Sequence, residues 1–195
     1  MKNSILFLCI MILVSCKDTK TKVQEQAPET ETEQKGTISE PEKKKPLSPH
    51  TSAMAIIGDA HIHIDYSSPG VRDRIIFGGL VGYNNVWQAG AHNATWIETN
   101  KELTISGKVL PAGKYGFFTV PSKDDWTIMI NKNWNQHGKD EYDEKDDVIR
   151  FKVSPEISED IQEYLEYKVT KTSDNSGTIN MNWEKVNIEF PFTVN

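Results

Sequence analysis

His61-Ile62-His63-Ile64-Asp65-Tyr66 places an apolar side chain at every second position, with two imidazoles and a carboxylate between them. A period of two is that of a strand with one face in a core and one face in water. Gly58-Asp59 just upstream is a turn pair, so residues 54–66 read as a hairpin. The same grammar continues downstream. Residues 103–105, the pair Ser106-Gly107 and residues 108–110 form a second tight hairpin. Pro111-Ala112-Gly113 then turns the chain into a strand over 114–120, which Pro121 stops. Over 126–130, Trp126, Ile128 and Ile130 alternate with Thr127 and Met129, which are expected on the wet face. Runs at 148–153, 164–170, 178–183 and 186–192 behave alike. Many short strands between turn residues predict an all-β fold, an antiparallel β-sandwich. Residues 72–90, rich in glycine and asparagine, read as one long ordered loop, and 138–147 and 157–163 as at most short helices.

These strands set a domain over 49–195, about 150 residues, close to the commonest size for a single domain. All five tryptophans and all six tyrosines fall inside it. Upstream, residues 17–48 hold no aromatic residue, isolated aliphatics such as Val23 and Ile38, mixed Lys and Glu, and Pro28, Pro41 and Pro46. Such a segment buries too little apolar area to offset chain entropy and reads as a disordered tether. Its reach is roughly 30 Å on average and about 100 Å when extended.

Residues 1–16 read as a secretory signal. Met1-Lys2-Asn3 gives a basic start, an apolar run follows from Ile5 to Val14, and Ser15 and Cys16 close it. The run is far short of the ~20 residues that a spanning helix needs. Leu13-Val14-Ser15-Cys16 matches a bacterial lipobox, which makes Cys16 the acylated amino terminus of the mature protein. The expected address is the cell envelope, as an outer-membrane lipoprotein on the periplasmic face or the cell surface. The partner there is the lipid bilayer, entered by the acyl chains on Cys16. The only other cysteine, Cys9, lies inside the signal, so the domain depends on its core alone and has no thiol nucleophile. It carries fourteen Lys or Arg against twenty-one Asp or Glu. That balance argues against nucleic acid and against anionic lipid surfaces as partners.

Several motifs in register resemble one family. They are Tyr66-Ser67-Ser68-Pro69, Arg74-Ile75-Ile76-Phe77-Gly78, Val86-Trp87, the run from Ala89 through Gly90, Ala91, His92, Asn93 and Ala94 to Thr95, Pro111-Ala112-Gly113-Lys114-Tyr115, and Trp126-Thr127-Ile128. Together they resemble the domain of unknown function 2911 family, of the Bacteroidetes lipoprotein type, over nearly the whole domain. The resemblance implies no established activity. Ser68, Asp73 and Gln88 depart from the family's pattern of Arg, Gly and Arg, which removes the planar forks that suit a carboxylate or phosphate.

No glycine-rich phosphate loop, nucleophile elbow or zinc-protease helix motif is present. Four sets of candidates remain. Tyr83, Trp87, Asn93 and Trp134, with Trp96, supply aromatic planes beside amides, the chemistry of a ligand- or glycan-binding surface. His92, Glu98, His137 and Asp140 supply two imidazoles and two carboxylates, a donor set for zinc and for a metal-dependent hydrolase centred on His92 and His137. The acids Asp140, Glu141, Asp143, Glu144, Asp146 and Asp147 suit calcium, or simply a solvated loop. His61 and His63 share one strand face, either as a metal pair or as part of a wet surface. The expected role is a tethered envelope module that binds a small molecule or glycan. The alternatives are the hydrolase and a structural partner in a lipoprotein complex.

Overall fold

The structure, a computed structural model, describes residues 46–195. The signal, Cys16 and the tether up to residue 45 lie outside the described residues. Among the described residues no helix is long and apolar enough to cross a membrane.

Strand β1 (His50–Ile57) and strand β2 (Ala60–Ser67) pair antiparallel around Gly58-Asp59. Gly58 has φ +59, the conformation that the first position of such a two-residue loop asks for. The alternation in β2 is as the sequence indicates, with Ile62, Ile64 and Tyr66 buried. Strand β3 (Thr95–Thr99) joins β2, and β4 (Leu103–Ile105) and β5 (Lys108–Leu110) make the second hairpin. Its turn residues Ser106 and Gly107 have φ of 50° and 72°. Strands β6 (Gly113–Val120), β7 (Trp126–Asn131) and β8 (Asp147–Val153) follow, then β9 (Glu156–Lys171) and β10 (Ser176–Val194). One sheet runs β1-β2-β3-β6-β7-β8 and the other β5-β4-β10-β9. All pairings are antiparallel and the sheets pack face to face, so the fold is the all-β sandwich.

The core joins Ile62, Ile64, Ile97, Phe117 and Ile128 of the first sheet to Ile105, Ile179, Trp183, Ile188 and Phe192 of the second. Each such side chain adds about 1.5–3 kcal/mol by leaving water. Among the described residues the buried hydrophobic side chains run from Ile57 to Phe192.

Three expectations need correction. Residues 178–183 and 186–192 are one strand, β10, bent where its register on β9 shifts on either side of Glu184, whose φ is 55°. Residues 157–163 belong to β9 and are not a helix; Ile157 and Ile161 have helical spacing, yet both are exposed. Met129 is fully buried rather than wet, because Tyr142 and the loop that carries it fold over the outer face of β6 and β7 against Phe118. The only helical turn among the described residues is 3₁₀, Glu144–Asp146.

Candidate functional site

The loop between β2 and β3 is long, as expected, and the backbone fixes it tightly. Trp87 and Thr119 of β6 exchange backbone hydrogen bonds of 2.8 and 2.9 Å, and Thr95 N donates to Gln88 O at 3.1 Å. Ala91 N donates to Ser67 O at 3.2 Å. Between these anchors Ala89 and His92 adopt φ of 53° and 62°, a region that L residues rarely enter. Ala89 is held there by its carbonyl, which accepts from the buried Tyr167 hydroxyl at 2.7 Å and from Thr95 Oγ1 at 2.9 Å. Burial, with Tyr66 beside it, holds the Tyr167 phenol well above its ordinary pKa, so it stays a donor. Gly90 is required by space: a Cβ there would lie 2.7 Å from Thr95 Oγ1. Backbone strain pinned by surrounding bonds is a recurrent property of binding loops.

The pinned segment walls a cavity of about 470 Å³. Trp87 and Trp183 line it, their rings stacked with centroids 5.6 Å apart, and Phe77 meets the edge of each at 5.9 Å. Trp87 Nε1 donates to Gly90 O at 3.0 Å. Trp183 Nε1 is buried and has no hydrogen-bond partner among the described residues. Val81 and Val86 extend the apolar wall, and Gln88, His92 and Lys139 bring polar groups to it. A mostly apolar concavity with a few convergent polar groups is the form of a small-molecule site.

The sequence candidates for ligand binding are divided among three places. Trp87 lies in this cavity. Tyr83 lines a smaller cleft of about 230 Å³ with Phe77 and Trp126. Asn93 and Trp134 line a recess of about 100 Å³ with Trp96 and Asp65. Lys114 Nζ sits 3.3 Å from the Trp96 ring centroid and 3.9 Å from that of Trp134. The ammonium thus covers one face of each indole. Trp183 and Lys139 were missed by the sequence reading: Trp183 is separated from Trp87 by most of the domain, and no local pattern marks either.

The metal candidates are partly brought together. His92 and His137 lie on neighbouring loops, joined by a hydrogen bond of 2.8 Å from Gly138 N to His92 O and by an Asn93–His137 bridge. His137 Nδ1 and Asp140 Oδ2 are 3.2 Å apart, both side chains exposed. Glu98 stands apart on β3, opposite His63 and Lys114. Among the described residues no three or more His, Cys, Asp or Glu gather as a metal-holding group. His61 and His63 have ring centroids 6.3 Å apart on the outer face, where His63 meets the edge of Trp96 at 5.0 Å.

The acidic loop is a latch. Asp143 caps the 3₁₀ turn by accepting from Lys145 N at 3.0 Å. Asp147 accepts from Asn131 Nδ2 at 2.8 Å, the Tyr142 hydroxyl at 2.9 Å and Arg150 Nε at 3.0 Å. Burial, and donation to Asp147, push the Tyr142 phenol up to about 12. Of the departures from the family pattern, Ser68 is buried with its hydroxyl donating to Leu165 O at 2.7 Å, Asp73 has φ 56°, and Gln88 lies in the cavity wall.

The family model described as "Protein of unknown function (DUF2911)" matches residues 48–192. No curated protein and no solved structure matches the chain. The chain belongs to the DUF2911 family.

Proposed function

We propose that this family member is a lipid-tethered envelope protein whose β-sandwich binds a small molecule in the cavity beside Trp87 and Trp183. The observation that carries the reading is the cavity itself: two stacked indoles, one with a buried N–H that has no partner among the described residues, behind a strained and over-determined loop. A preformed wall lowers the ordering cost of binding. The tether expected over 17–48 suits a module that must reach soluble ligands away from a bilayer.

Two measurements test the two halves. A chain beginning at residue 17, in detergent-free buffer, is titrated with the neutral apolar dye N-phenyl-1-naphthylamine, read by energy transfer from tryptophan. One saturable site per chain is expected, and the absence of saturable binding contradicts the proposal. Separately, the full-length protein in its membrane is expected to partition into detergent, and Cys16→Ser to abolish this. A serine variant that still partitions with lipid would overturn the anchor.

A further inference from the structure

Resting on that cavity as the ligand site, we infer that its ligand is a small organic anion, with an apolar or ring body in the cavity and a carboxylate or sulfonate-like group at Lys139. The argument is one of charge. The domain as a whole is acidic, with fourteen basic residues against twenty-one acids. Yet among the described residues no Asp or Glu lines this cavity; Lys139 is its ammonium, with His92 and Gln88 adding an imidazole and an amide donor. Lys139 takes part in none of the ion pairs formed among the described residues. The neighbouring acid, Asp140, faces His137 Nδ1 at 3.2 Å and so has a partner of its own. An ammonium without a carboxylate, at the wall of an otherwise apolar cavity, is a ready site for a negative group. Lys139 is exposed at the rim, so the attraction acts through solvent and weakens as salt is added.

The negative surroundings sharpen this selection. Beyond the cavity the acidic surface repels anions at long range, so an anion that is held must be held locally at Lys139, and the effect is screened by salt over about 10 Å. A ligand without charge would use the indoles and valines and leave Lys139 idle. The contrast between a charged and an uncharged ligand of one shape isolates the contribution of Lys139.

The experiment therefore compares two dyes that share one ring system, 8-anilinonaphthalene-1-sulfonate and neutral N-phenyl-1-naphthylamine, on the chain from residue 17. The sulfonate is expected to bind at least tenfold more tightly than the neutral dye. Lys139→Gln should abolish that preference, Lys139→Arg should keep it, and Lys152→Gln, on strand β8, should leave both dyes' binding unchanged. Equal binding of the two dyes, or a preference that survives Lys139→Gln, overturns the anion inference and leaves the cavity reading standing. Failure of both dyes to bind overturns both.

Discussion

At the scale of single residues, the account depends on how Ala89 is kept in a conformation that alanine disfavours. Two donors, the Tyr167 hydroxyl and Thr95 Oγ1, converge on its carbonyl. Tyr167→Phe removes one of them and keeps the ring. The expected cost is about 1 kcal/mol, the net worth of one hydrogen bond whose acceptor retains a second donor. Urea unfolding measures this, and the neutral dye should bind several-fold more weakly because the Gln88–His92 wall loosens. Unchanged stability together with unchanged dye affinity would show that the pair does not hold the wall. Such contacts were not legible beforehand. Tyr167 lies 78 residues from Ala89, and nothing local to either marks the other. The same holds for Trp183, whose stacking partner Trp87 comes from a different part of the chain.

At the scale of elements, β2 was readable because its burial alternates with the pleat: one face meets the opposite sheet and the other meets solvent. The hairpins at Gly58-Asp59 and Ser106-Gly107 were readable because their turn residues take the backbone angles that such turns demand. Three features were not readable, each for a physical reason. Met129 is covered by a loop rather than by a sheet, and loop coverage leaves no period. Glu184 bends β10 at φ 55°, a position where glycine would have signalled the kink and glutamate does not. Ile157 and Ile161 are exposed on β9, so their spacing records no core. The latch that covers Met129 makes its own prediction. Tyr142 keeps its proton up to about 12 in the folded protein, whereas an unfolded tyrosine loses it near 10. Below pH 10 both states are protonated and the latch contributes fully. From 10 to 12 the unfolded state binds fewer protons, so stability falls as pH rises. Denaturant midpoints across that range should decline more steeply in the wild type than in Tyr142→Phe, and parallel profiles would remove Tyr142 from the latch.

At the scale of the whole molecule, Phe77, Trp87, Trp126 and Trp183 form one cluster of edge-to-face and stacked rings. Much of that cluster is core; Trp87 and Trp183 border the larger cavity, and Phe77 and Trp126 the smaller cleft. The sequence showed that tryptophans were numerous but not which of them would meet a cavity. Of the ligand candidates it offered, Trp87 falls at the cavity, beside His92 of the metal set, while Tyr83 falls in the smaller cleft and Asn93 and Trp134 in the recess beside Trp96. The central claim is that this cavity, and no other concavity of the domain, receives the ligand. Ala91 lines it without belonging to the core, so Ala91→Trp should fill it and leave the fold intact. The decisive measurement is the N-phenyl-1-naphthylamine titration of Ala91→Trp beside the wild type, with unfolding midpoints recorded for both. The account predicts that saturable binding is lost while the midpoint stays within experimental error, and undiminished binding by the filled variant would contradict it.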